Sequence, residues 1–226
     1  MSKADNLVIH THLGLGDHFI CCGLVRKIIS QNEYKNYYIA CKRQNLESVK
    51  PLFNDIKNAY LIVVNHDHEV PTYIPENSEY IKVGFGACPG VRFDIAFYQQ
   101  LGFTIQDKYD YFKINRNLDK EKELIAKACP EGEYIFVQDV SSVGKFNLKV
   151  PENLKIVKPD PSLGHSAVDY LGVIEKAKQV HLLHSSFLTL TDLALDRDEL
   201  YFHRAKAGSD DELNPNLQRK WVIIDY

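Results

Sequence analysis

Leu7-Val8-Ile9-His10-Thr11-His12-Leu13-Gly14-Leu15-Gly16-Asp17-His18 is the stretch that decides the fold. Its apolar start reads as a buried strand and its two glycines as a tight turn. Phe19, Ile20, Leu24 and Ile28 then follow at helical spacing, with Ile20, Leu24 and Ile28 on one stripe. Outward from there, strand-like runs at 37–40, 60–64 and 80–83 alternate with helical patterns at 45–53 and 93–101. Such alternation predicts a parallel sheet with helices packed against it. Residues 108–117 have no clear period and read as a linker. Beyond them come a polar helix at 119–128, stopped by Pro130 and Gly132, and strands at 134–137, 155–157, 180–183 and 200–202. Helices are expected at 167–178 and 185–195. The expected fold class is α/β, with two small Rossmann-like domains, 1–115 and 116–226, facing a cleft. No sequence repeat relates the halves.

Composition supports this reading. Of 226 residues, 45% are hydrophobic and 25% charged, which is enough to build a core and argues against disorder. A net charge of -3 with no Lys/Arg block offers no footprint for a phosphate backbone, so no nucleic-acid partner is expected. No apolar run approaches the roughly 18 to 20 residues of a transmembrane helix, and a cytoplasmic location is expected. The five cysteines (Cys21, Cys22, Cys41, Cys88, Cys129) have no C-x-x-C spacing and read as buried reduced thiols.

Ligands of parallel α/β sheets bind at the carboxyl ends of the strands. Gly14 and Gly16 let the backbone turn tightly and approach a ligand, and the next helix aims its free N–H groups at it, which suits a phosphate or carboxylate. The third glycine of the dinucleotide fingerprint is missing, and no acid closes a strand about 20 residues on, so NAD and FAD are disfavoured. His10, His12, Asp17 and His18 invite a metal reading. Their spacing does not match an H-x-H-x-D-H element, because Leu13 to Gly16 intervene, and no metal is expected. Asp17 is either a helix cap or a general base facing the cleft. In the second half, His184-Ser185-Ser186 follows a strand and opens a helix, where the hydroxyls either cap the helix or seat a phosphate. Ser141, Ser142 and Lys145, after the first strand of this half, supply further donors and one positive charge.

Together these residues resemble the GT-B glycosyltransferases, most nearly the heptosyltransferase-like branch and a group of short bacterial and phage proteins of that fold. The likeness rests on Gly14-Leu15-Gly16-Asp17 with Cys22-Gly23-Leu24-Val25-Arg26, on Ser141, Ser142 and Lys145, on Phe93-Asp94 through Phe97-Tyr98, on Glu175-Lys176-Ala177-Lys178, and on Ser185-Ser186-Phe187. The resemblance implies inverting, metal-independent transfer, without a cofactor, from a nucleotide-sugar donor to a glycan or other hydroxyl acceptor. The donor would be bound mainly by the C-terminal domain, its binding residues being Gly14 and Gly16 of the N-terminal domain with Ser141, Ser142, Lys145, His184, Ser185 and Ser186, and the acceptor would lie near the N-terminal domain. Asp17 would be the base, with His12 and His18 in support. Two departures stand out: His184 occupies a place where the family often has Asp, and Thr189 a place where it has His. A non-catalytic nucleotide or sugar-binding protein, or a nucleotide-sugar epimerase on the same fold, are the alternatives.

Overall fold

Runs rich in Val, Ile, Leu and Tyr, without Pro, form a first parallel sheet from β1 (Asn6–His10), β2 (Asn36–Lys42), β3 (Ala59–Val64) and β4 (Ser78–Lys82). The structure, a computed structural model, describes residues 4–84, 91–141, 144–204 and 215–226. The chain divides into two compact units, Met1–Asn115 and Arg116–Tyr226. In the first unit the strand order is β3-β2-β1-β4, with Ile9 paired to Ile39 on one side and to Ile81 on the other. Strand order reverses between β1 and β4, which makes the carboxyl ends of that pair the topological switch point.

Both faces of this sheet are covered. Val8, Ala40, Ile62 and Val64 pack with Leu13, Val70 and Ile74, contributed largely by the segment after β3. The alternate residues, Leu7 on β1 and Ile81 on β4, lie on the side of Ile28 from α1 (Leu15–Ser30). The single helix expected at 45–53 is instead a short α2 (Leu46–Val49) between two 3₁₀ turns. Pro51 lies in the second turn and lacks the N–H that an α-helical ladder needs.

The stretch expected to be linker begins inside a helix. After α3 (Phe93–Gln99) the chain forms α4 (Asp107–Asp110), and α4 packs on α1 at Gly23. A Cβ at Gly23 would stand 2.5 Å from Asp107 O and 2.7 Å from Lys108 O, so only glycine permits this approach. Lys108 is wholly buried, and its Nζ lies 2.9 Å from Asp94 Oδ2, which is buried too. From α3, the Tyr98 hydroxyl enters the α1 ladder. It donates to Ile20 O at 2.8 Å and accepts from Leu24 N–H at 3.0 Å, two groups that pair directly in an uninterrupted turn.

The second unit starts with α5 (Leu118–Ala128), capped by the Asn117 side chain, which accepts from Lys120 N–H. Next come β5 (Tyr134–Gln138), the two-residue strands β6 (Val140–Ser141) and β7 (Gly144–Lys145), and β8 (Lys155–Val157). The chain continues through α6 (Leu171–Lys176), β9 (Gln179–Leu183), α7 (Ser186–Ala194), β10 (Leu200–Arg204) and β11 (Trp221–Asp225). The helix expected at 167–178 starts as a 3₁₀ turn, Ala167–Tyr170, and ends at Lys176. The sheet is parallel in the order β11-β10-β9-β5-β8, so its switch point lies between β9 and β5.

Helices cover one face, where Phe136 meets Tyr170 and Phe187 and the Tyr134 hydroxyl donates to Val173 O in α6. On the other face no helix links β7 to β8. Phe146, Leu148, Val150 and Leu154 lie there in extended chain against Ile135, Val137 and Leu183. Strand β11 was not foreseen from the sequence. Its approach is fixed by the Asp192 carboxylate, which accepts from the N–H groups of Gln218 and Arg219 and from Trp221 Nε1–H.

A directed run of hydrogen bonds crosses the helix-free face. Lys149 N–H donates to Tyr226 Oη (2.7 Å) and Tyr226 O–H to His203 Nδ1 (2.8 Å). His203 Nε2–H then serves His181 Nδ1 (3.0 Å), and His181 Nε2–H serves Gln179 Oε1 (3.3 Å). Each imidazole gives one proton and receives one, so the run needs both neutral. Burial pushes both down from the ordinary 6.5 to about 4; Glu199 acts in the opposite sense on His181, while Lys149 adds to the depression of His203. Their contribution to stability is therefore complete above pH 6.5 and lost as pH falls from there to about 4, with about two protons taken up on unfolding. Urea unfolding of His203→Asn across that range should show a shallower acid limb than wild type. An unchanged limb would mean the pair does not set it.

Candidate functional site

In the first unit the loop from β1 to α1 lies at the switch point. Asn45 Nδ2–H holds it by donating to Leu13 O at 2.9 Å. Gly14 is the N-cap of α1 and has no side chain to close the helix start, and Gly16 lies in the first turn. A Cβ at position 14 would stand 2.5 Å from Asp17 Oδ2, so the carboxylate folds back over the glycine turn. Among the described residues it makes no hydrogen bond, so the capping reading of Asp17 has no bond behind it. Burial raises its pKa from 3.8 to about 6; the neighbouring charges of His12 and Lys42 oppose the rise and that of Asp67 adds to it.

His12 is held between Gly84 and Phe97. Its Nε2–H donates to Gly84 O at 2.7 Å, its ring stacks on Phe97 at 5.8 Å, and Gly84 presses on its edge. Gly84 has φ +90°, and a Cβ there would meet His12 Cδ2 at 2.6 Å, so both conformation and space require glycine. This clamp joins the loop after β1 to the end of β4 across the switch point. His18 is enclosed, its Nε2 has no hydrogen bond among the described residues, and burial pushes its pKa down to about 4, which keeps it neutral. His10 is also buried, with Nδ1 2.6 Å from Tyr80 Oη. Among the described residues no group of three or more His, Cys, Asp or Glu is placed to hold a metal ion. Cys21, Cys22 and Cys41 are buried, and burial raises the latter two thiols to about 11 and about 12, so none is a thiolate at neutral pH.

The second unit gathers its polar groups at the ends of β5 and β9. The β6–β7 hairpin pairs Val140 with Lys145 and Ser141 with Gly144, and Phe146 N–H returns to Asp139 O at 2.8 Å. This pairing holds Ser141 and the exposed Lys145 just beyond the end of β5. Ser142 lies outside the described residues. After β9, half-buried His184 leads into Ser185, the N-cap of α7. The Ser185 hydroxyl donates to Gln138 Oε1 at 2.8 Å instead of capping the helix. Ser185 O accepts from Leu188 N–H and Thr189 N–H, while the N–H groups of Ser186 and Phe187 have no acceptor among the described residues. Ser141 and Lys145 follow β5, and Ser185 and Ser186 follow β9, the strand paired beside it, where the positive end of the α7 dipole also lies.

Two neighbours escaped the sequence reading. Asp139 directly follows β5, is 7% exposed, and accepts a charged hydrogen bond from Lys158 Nζ at 2.6 Å on Oδ2; Lys158 itself directly follows β8. The signal was present as an acid at the end of Tyr134-Ile135-Phe136-Val137-Gln138 and a cation at the end of Lys155-Ile156-Val157.

No protein-family model matches this chain, and no curated protein matches it. Among solved structures, it is similar to the glycosyl transferase family 9 protein from Veillonella parvula DSM 2008. The TM-score is 0.56 at 7% sequence identity, covering 100% of this chain and 88% of that one. The likeness is one of fold, two Rossmann-like units in sequence.

Proposed function

We propose that the chain is a glycosyltransferase that moves a sugar from a nucleotide-sugar donor to an acceptor hydroxyl, by inversion and without a metal. The observation that carries this reading is the Asp17 carboxylate. It makes no hydrogen bond among the described residues and lies at the switch point of the first sheet, with its proton affinity raised close to working pH, as a general base requires. The fold shared with a glycosyltransferase supports it, as do the groups at the second switch point.

In this mechanism Asp17 takes the proton of the acceptor hydroxyl as its oxygen attacks the anomeric carbon from the face opposite the leaving group. The bond from that carbon to the donor diphosphate breaks. Charge growing on the diphosphate is met by the N–H groups of Ser186 and Phe187, the hydroxyls of Ser141 and Ser186, and Lys145. His12, fixed by Gly84 and Phe97, keeps a polarising group beside the base.

A thermal-shift screen against nucleoside diphosphates and their sugar conjugates tests donor binding, since a ligand at 100 times its dissociation constant stabilises by about 2.7 kcal/mol. Ser186→Ala and Lys145→Ala should each weaken the best nucleotide by about 10- to 100-fold, the range of a charge-assisted hydrogen bond. Unchanged affinity in both folded variants would remove this surface as the donor site. Product analysis with donor alone and with acceptors separates transfer from epimerisation, and binding without turnover would identify a non-catalytic module.

A further inference from the structure

We propose that the outer edge of β11 is an interface with a second copy of this chain. The two β11 strands pair antiparallel about a two-fold axis through Ile223, joining two five-stranded sheets into one.

β11 stands at the end of the order β11-β10-β9-β5-β8 and, among the described residues, pairs with β10 alone. An edge strand turns unpaired N–H and C=O groups outward, and proteins blunt such an edge with lysine, proline or a very short strand. The opposite edge is blunted in this way: β8 has three residues, begins with Lys155 and is followed by Lys158. β11 is not. Its five residues, Trp221-Val222-Ile223-Ile224-Asp225, hold neither lysine nor proline, and Val222 is 51% and Ile223 44% exposed. The pleat sends these two to opposite faces, Val222 with Ile224 to the helix-free side and Ile223 with Trp221 to the side of α7. Both are open, although one face has a helix layer. What they lack is a neighbouring strand.

The order of charges along the edge says which strand fits. Arg219 and Lys220 precede the apolar run, and Asp225 and Tyr226 follow it. A strand that is cationic at its start and acidic at its end is complementary to itself when reversed. A two-fold axis normal to the sheet pairs only residues that lie on the same face. With Ile223 opposite itself, Val222 faces Ile224, Trp221 faces Asp225 and Lys220 faces Tyr226, while Arg219 lies diagonal to Asp225, within reach of a long side chain. Apolar residues meet at the centre, the positive start of each strand lies against the acidic end of the other, and no like charges are directly opposed. Asp225 already holds Arg204, yet its side chain is 65% exposed and keeps an open side.

Sedimentation equilibrium of the full chain over a concentration series should show a monomer–dimer equilibrium. Ile223→Lys sets two ammonium groups opposite each other and should weaken the dimer by about 10-fold or more, with the tryptophan emission of the folded chain unchanged. Ile156→Lys, at a 47% exposed position on the β8 edge, should leave it intact. Cross-linking reads the register in a chain carrying Cys88→Ser and Cys129→Ser. There Ile223→Cys should form a disulfide with its own copy under mild oxidation, because directly opposed residues stand about 4.5 to 5.5 Å apart between Cα atoms, within the span of the bond. Val222→Cys should cross-link only when mixed with Ile224→Cys. A chain that is monomeric at every concentration, a dimer that Ile223→Lys leaves intact, or Val222→Cys linking to itself in preference to Ile223→Cys would overturn the proposal.

Discussion

Asp17→Asn should lower turnover by about 10² to 10⁴-fold, the usual contribution of a positioned base, with donor affinity nearly unchanged. Asparagine keeps the shape over the Gly14 turn and removes the proton acceptor. In wild type, kcat/KM should fall on the acid side with an apparent pKa near 6, because only the ionised carboxylate accepts a proton. Stability should move the other way from activity. The folded-state pKa lies above the ordinary 3.8, so the folded chain holds this proton more tightly than the unfolded chain does. Stability from this group is thus greatest below pH 4 and declines as pH rises to about 6, and at pH 7 the ionised carboxylate costs about 3 kcal/mol. The variant should therefore melt no lower than wild type at pH 7. A variant that transfers sugar at nearly the wild-type rate, or that melts well below it, would show Asp17 to be structural.

Lys108→Ala should destabilise the first unit by about 3 to 5 kcal/mol, since it strands the Asp94 carboxylate in an interior where both partners are almost completely enclosed. The pair closes the junction where α4 lies on α1 at Gly23, and Gly23→Ala should be severely destabilising as well, because the new methyl meets backbone rather than a movable side chain. Replacing both charges, as Lys108→Met with Asp94→Leu, should recover most of the loss, because apolar groups of similar size need no partner. Urea unfolding reads all three. A Lys108→Ala cost below about 1 kcal/mol, as for an exposed pair, would contradict the burial.

What the sequence made legible follows from how local each feature is. The strand, glycine turn and helix at Leu7 to Ile28 announce themselves because period and punctuation occur within one stretch, and the same holds for Tyr134 to Gln138 and for Val180 to Phe187. Elements defined by distant partners did not show. Lys108 reads as a surface lysine until Asp94 is brought beside it. Residues 221–225 look like an apolar tail until β10 and Asp192 receive them. Asp139 and Lys158 stand 19 residues apart and acquire meaning only when β5 and β8 pair. At the candidate site the sequence supplied Asp17 and the serines, but not that the Ser185 proton is committed to Gln138 or that His12 is clamped by Gly84. Both facts depend on neighbouring strand ends.

The anchoring of Trp221 by Asp192 also determines what spectroscopy can see. It is the one tryptophan of the chain, and it belongs to the second unit, with its indole N–H bonded to a buried carboxylate. Emission excited at the red edge, where tyrosines are silent, is therefore a label on that unit alone, whereas far-ultraviolet dichroism averages over both sheets. If the two signals lose amplitude at one denaturant concentration, the halves melt as a single cooperative block; if they separate, each half has its own stability, and one unfolding free energy for the chain has no meaning.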